Sequence, residues 1–107
     1  MRNKMSQLII DDIKIICNLY RNELFNNDEE YYSFVDVDDK TMIHSFHNVK
    51  DHWWGNFSIF PNLSEEFMIE FQDKLDWRLI ALSQKLSQDF LIKFHNKIEL
   101  AVKQYSN

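Results

Sequence analysis

Residues 63–77 read LSEEFMIEFQDKLDW, and residues 86–100, 23 positions later, read LSQDFLIKFHNKIEL. Six of the fifteen positions are identical: Leu63/Leu86, Ser64/Ser87, Phe67/Phe90, Ile69/Ile92, Phe71/Phe94 and Lys74/Lys97. Most of the rest, such as Glu66/Asp89, Met68/Leu91 and Leu75/Ile98, keep their chemical character. A match this dense at one displacement marks an internal repeat, and a repeat constrains the fold before any single element does.

The repeated positions are those that start and bury a helix. Ser64 and Ser87 stand where an N-cap hydroxyl accepts first-turn amides, a contribution of about 1 kcal/mol each. Leu63 with Met68, and Leu86 with Leu91, take the positions of a hydrophobic staple. The acids at Glu65, Glu66 and Asp89 suit the positive helix start. Phe67, Phe71 and Leu75, like Phe90, Phe94 and Ile98, recur at four-residue steps and form one apolar face. Asp76 is placed to cap a further helix that turns Trp77, Ile80 and Ala81 inward and ends near Lys85. The last helix runs on through Ala101, Val102 and Tyr105. Trp54 stands 23 residues before Trp77 and marks a degenerate earlier copy. Each unit buries its face on the next, as in an α-solenoid.

In its Leu63, Ser64, Phe67, Phe71, Asp73, Lys74, Asp76, Trp77, Ile80, Gln84, Lys85, Leu86, Ser87 and Phe90, the chain resembles a short helical repeat of uncharacterised large-DNA-virus and phage proteins. The pattern is roughly LSxxFxxxFxDKxDWxxIxxxQKLSxxF, and it covers residues 63–98. Ala81, Leu82, Ser83, Glu99 and Leu100 depart from it. The resemblance implies a helical scaffold of viral or phage-like origin and no catalytic activity.

Upstream, Ile9, Ile13, Ile16, Tyr20 and Leu24 recur at helical spacing and predict a helix over residues 6–25, with Ile10 and Ile15 off its stripe. Asn26, Asn27 and Asp28 stop it. Residues 31–37 suit either a short strand or a helical turn. Asp38 or Asp39 caps a helix through Met42, Ile43, Phe46, Val49 and Trp53, with Gly55 as its terminator. The fold class is therefore all-α or mainly α: a small irregular bundle with a C-terminal helical repeat. A strand pair around residues 31–37 and 57–60 is the one β alternative. Within 107 residues this is a single domain, divided into an N-terminal helix (1–27), an acidic and aromatic middle segment (28–62) and the repeat (63–107).

Composition closes several routes. One Gly and one Pro leave little for many tight turns, and no glycine-rich phosphate loop can be written. A single Cys17 excludes an internal disulfide and any multi-cysteine zinc site. No apolar run is long enough to span a membrane, and no signal peptide is evident, so a cytoplasmic location is expected, in the host if the origin is viral. Nine Phe, four Tyr and three Trp supply the core.

Candidate chemistry is sparse. His44 and His47 share a helix face, with Asp51 and His52 further on, but no HExxH or cysteine pair accompanies them. Asp36, Asp38 and Asp39 form DxDD without the spacing or glycine of a calcium loop. Cys17 has no neighbouring base. No cofactor, metal or catalytic residue follows, and a metal-dependent enzyme is the second alternative function.

Charge is more informative. The net charge is −5, and seven of the seventeen acids fall in residues 22–39 with no Lys or Arg among them. Such a stretch is either a solvated connection rich in helix caps or a negative patch for a basic partner. The partner reading assigns contact to Asp28, Glu29, Glu30, Asp36, Asp38 and Asp39. Trp53 and Trp54 join them, since an aromatic loop around the only Gly and Pro offers interface anchors. Bound nucleic acid would need a basic groove instead. The function expected is a non-catalytic inhibitor that covers a basic, nucleic-acid-handling host protein. Its most concrete form is a phage or virus anti-defence protein acting against a CRISPR effector. A structural adaptor or oligomerisation module, homodimeric in its simplest form, is the first alternative. Whatever the partner, Phe71→Ala should cost about 3–5 kcal/mol if the repeat packs as read; chemical denaturation measures it, and a loss under about 1 kcal/mol would refute the packing.

Overall fold

The computed structural model describes residues 4–104. Its contacts divide the chain into two compact units, Met1–Val49 and Lys50–Asn107, so the acidic and aromatic middle segment is shared between them. Among the described residues every regular element is helical and no strand forms.

In the first unit, α1 (Lys4–Leu19) buries Ile9, Ile10, Ile13, Ile16 and Cys17. The buried face is wider than the predicted stripe: Ile10 is fully covered, while Ile15 stays in solvent. The helix does not run unbroken to residue 25. Tyr20 leaves helical geometry (φ −102°, ψ 28°), and α2 (Arg21–Leu24) is one further turn. The break lets Arg21 reach Asp28 at 3.1 Å and lie 3.9 Å from the Tyr31 ring centroid.

Of the two readings open for residues 31–37, the helical one is realised, as α3 (Asp28–Val35). Its start explains why. Asn27 Oδ1 accepts from the Glu30 amide at 2.9 Å, and the Glu30 carboxylate accepts from Asn26 N at 2.7 Å. This reciprocal cap commits the segment to helix. The intended strand partner at 57–60 is also lost, because residues 57 and 58 belong to α5 (Trp54–Ser58). Asp38 caps α4 (Asp39–Phe46) by accepting from Thr41 N at 2.8 Å. Helix α4 packs on α1 and on α3, burying Met42 and Phe46. Phe46 lies 6.3 Å from Phe34, which lies 5.5 Å from Phe25.

The predicted continuation of α4 through Trp53 does not occur. Lys50 swings to φ −54°, ψ 141°, and a 3₁₀ turn, Asp51–Trp53, leads into α5. Gly55 therefore sits inside a helix with negative φ, and the left-handed residue is Asn62 (φ 62°).

In the second unit the two matching stretches begin alike. Helices α6 (Glu65–Glu70) and α8 (Gln88–Lys93) have six residues each. Ser64 Oγ accepts from Phe67 N and Ser87 Oγ from Phe90 N, both at 3.1 Å. Both helices close on the same backbone geometry, Phe71 at φ −105°, ψ 25° and Phe94 at φ −106°, ψ 16°. The staples differ: Leu63 and Met68 are buried, whereas Leu91 of the second pair is exposed.

After Phe71 the copies diverge. Asp76 Oδ1 accepts from Arg78 N and Leu79 N and starts α7 (Trp77–Ser83). At the matching position Glu99 lies inside α9 (His95–Gln104), paired with His95 at 2.8 Å and Lys103 at 2.9 Å. Lys103, then His95, hold its carboxyl below the usual range. Tyr105 lies outside the described residues.

Copies are joined by ring contacts, stacked at Trp77 and tilted by 39° at Trp54. Trp77 lies 5.2 Å from Phe94 and 6.1 Å from Phe90, and Trp54 lies 5.3 Å from Phe71. Trp54–Phe71 and Trp77–Phe94 share a 17-residue separation, which makes Trp54 the tryptophan of an earlier copy. Helix α7 packs on α5 and on α9. Polar links follow the same register. Buried Ser58 donates to Trp54 O and accepts from Asp76 N, while Gln84 Nε2 donates to Ser58 O and Phe60 O. Glu65 accepts from both Ser87 N and Ser87 Oγ, at 2.9 and 3.0 Å. A Cβ added at Gly55 meets only Leu79 Cδ1, at 3.9 Å. Gly55→Ala should therefore stabilise the protein by about 0.5–1 kcal/mol, seen as a higher urea midpoint with unchanged slope.

Candidate functional site

The acidic residues of the first unit do three different jobs. Asp28 and Glu30 are tied to Arg21 and to Asn26, and Asp38 is the cap of α4. The Thr41 hydroxyl and then its backbone amide hold the Asp38 carboxyl below the ordinary range. Glu29 and Asp36 are exposed, and neither has an ion-pair partner among the described residues.

Of the six candidate acids, Glu29 and Glu30 line an open cleft. Between α3 and α4 lies an open cleft of about 470 Å³. Phe25, Phe34 and Val37 give it an apolar surface, Glu29 and Glu30 an acidic one, and Asn27, Ser33, Thr41 and Ser45 supply hydroxyls and an amide. No lining residue is basic. Within α3, Glu30, Ser33 and Phe34 fall at i, i+3 and i+4 on one side of the helix, and Val37 joins them from beyond the C-cap Asp36. Sequence reasoning singled out the acids and passed over Phe25, Phe34 and Val37; this spacing was the available signal.

The tryptophans stand elsewhere. Trp54 is buried, 3% exposed, against Phe57 and Phe71, so it cannot anchor a partner. It was expected on a loop, but its place in the repeat puts it in the core. Trp53 is half-buried, stacked 6.1 Å from Phe57 with His52 on its other ring contact at 5.4 Å. It belongs to the second unit, whereas the cleft belongs to the first.

Among the described residues no group of three or more His, Cys, Asp or Glu is arranged to hold a metal ion. His44 lies exposed on α4, His47 follows at its end, and His52 occupies the 3₁₀ turn. Cys17 is 1% exposed, and burial pushes its thiol up to about 12, so the nucleophilic thiolate is scarce at neutral pH. No described helix is long and apolar enough to cross a membrane. No protein-family model, curated protein or solved structure matches the chain.

The lowered Asp38 pKa sets a direction with pH. A carboxyl depressed on folding stabilises the native state above its unfolded value, and that support is lost as pH falls through the folded value. The Asp38 carboxyl should titrate below the ordinary aspartate range, and protection of the Thr41 amide should fall with the same midpoint. Carboxyl NMR and hydrogen exchange read both; Asp38→Asn should remove the coupling.

Proposed function

We infer that the protein is a non-catalytic binding module whose acid-lined cleft takes a basic segment of a protein partner. One observation carries this reading: Glu29 stands unpaired on a cleft with aromatic walls and no cation among its lining residues. Lys and Arg side chains suit such a place, since their stems cover apolar rings while the charged heads meet carboxylates. The same helix supports the chemistry on its other side. There the chain's own Arg21 lies over Tyr31 and pairs with Asp28, the combination of ring and acid that favours a guanidinium. The nucleic-acid-handling host protein expected from the sequence is one partner class that offers such segments. The contact surface is narrower than the acidic stretch as a whole, because Asp28 and Asp38 are engaged within the fold.

A fluorescent peptide of alternating arginine and leucine serves as a probe. It should bind saturably, and Glu29→Gln should weaken binding several-fold, while Asp89→Asn in the second unit should leave it unchanged. Rising salt should weaken it too, because surface charges are screened over about 8 Å at physiological ionic strength. Equal binding by the Glu29 variant, or none by either protein, would overturn the reading.

A further inference from the structure

We propose that a cavity in the second unit binds a small organic acid, a single carboxylate on an apolar body. The cavity measures about 470 Å³, and its walls come from the 3₁₀ turn with α5, the segment leading into α7, and one face of α9. That is the size of an ordinary small-molecule site. It is separate from the acid-lined cleft, which belongs to the first unit.

The lysines supply the first argument. Lys74 and Lys97 occupy the one charged position that is identical in both copies of the repeat. The backbones have diverged by that point, with Lys74 in the turn before α7 and Lys97 inside α9. Both side chains nonetheless line the same cavity. Lys74 is exposed and has no ion pair or side-chain hydrogen bond among the described residues. Lys97 meets Asp73 at 3.7 Å, beyond hydrogen-bond reach, and Asp73 is itself in solvent. Both ammonium groups can therefore turn to an incoming anion on their flexible stems. Two acids share the walls. Asp76 is committed to its cap, since its Oδ1 accepts from Arg78 N and Leu79 N. Asp51 is exposed on the 3₁₀ turn, a different wall from either lysine. Its charge opposes a second negative group, so one carboxylate suits the site better than a phosphate.

The apolar body follows from α9 and α5. Lys97, Leu100, Ala101 and Gln104 stand at i, i+3, i+4 and i+7, so a single face of α9 lines the cavity. Leu100 is 62% exposed, yet it shares this lining with the buried Leu75 and Trp77. A hydrocarbon laid on Leu100 takes that area out of water. Gly55, the chain's only glycine, lines the cavity from α5. Its φ is negative and an added Cβ would meet only Leu79 Cδ1, at 3.9 Å, so neither backbone conformation nor packing calls for glycine there. Bare backbone keeps that wall open, although glycine weakens a helix.

The probe is naphthylacetate, titrated into the isotopically labelled full chain, with hexanoate as an aliphatic acid, naphthylethanol as a neutral analogue and inorganic phosphate as a bare anion. Saturable shifts are expected at the amides of Gly55, residues 74–77 and residues 100–104. Lys74→Ala and Lys97→Ala should each weaken binding about two- to fivefold, the effect of one exposed charge contact. Leu100→Ser should weaken it as well, and Asp51→Asn should tighten it about twofold by removing a like charge. Lys85→Ala, at an exposed lysine outside the cavity, should change nothing. None of these side chains is buried, so each variant should keep the circular dichroism of the parent. Tighter binding of hexanoate would name an aliphatic body and tighter binding of naphthylacetate an aromatic one; either supports the proposal. No saturable shift with millimolar amounts of either acid, equal binding of naphthylethanol or of phosphate, or indifference to both lysine variants would overturn it. An equal loss on Lys85→Ala would overturn it too, as a general effect of net charge.

Discussion

A helix of six residues has no stability of its own in water, because nucleation fixes several residues for very few hydrogen bonds. The second unit is built largely of such helices, and it depends on the side-chain caps of α6, α7 and α8 and on rings covered by another copy. Tryptophan on phenylalanine is the contact that meets this demand. Large flat rings bury much apolar surface while adding a preference for defined ring geometry. Trp54 and Trp77 do so with nearly identical centroid distances, 5.3 and 5.2 Å to Phe71 and Phe94. The caps and carbonyl clamps of Ser58, Gln84 and Glu65 then fix one copy's register against the next.

The divergence of the two copies after their phenylalanines shows how small a change redirects a chain. Asp76 is short enough for its carboxylate to reach the amides two and three residues on, and the backbone breaks and restarts there. Glu99, one methylene longer, instead spans a helical turn in each direction to His95 and Lys103. An acid that begins a helix in one copy braces the middle of a helix in the other.

What was legible in the sequence follows from this. The caps at Ser64, Asp76 and Ser87 and the Phe faces could be read because both are local patterns with fixed spacing. The 23-residue displacement also pointed to Trp54. Gly55 and Pro61 give the surroundings of Trp54 the composition of a loop, whereas its repeat position against Phe71 places it in the core. At residues 31–37 the alternation of a strand and the spacing of a helical turn are both present in the sequence, and the reciprocal Asn27–Glu30 cap decides for the helix. The acidic stretch could be located but not apportioned, since which acid caps, which pairs and which faces a cleft depends on how α2 turns Arg21 toward Asp28. The cleft itself needs two helices to be placed beside one another, and no spacing rule gives that.

The links between copies run over 17 residues for the two Trp–Phe contacts, 18 from Ser58 to Asp76, 22 from Glu65 to Ser87, and 24 and 26 from Gln84 to its carbonyls. A duplication or deletion of 23 residues in this stretch would keep a tryptophan 17 residues ahead of a phenylalanine, although the Ser58 clamp, whose counterpart 23 positions on is Ala81, would not recur. An insertion of any other length would strand a tryptophan without its phenylalanine. The second unit is therefore a ladder whose length can vary in whole rungs, at the level of the coding sequence as well as of the fold.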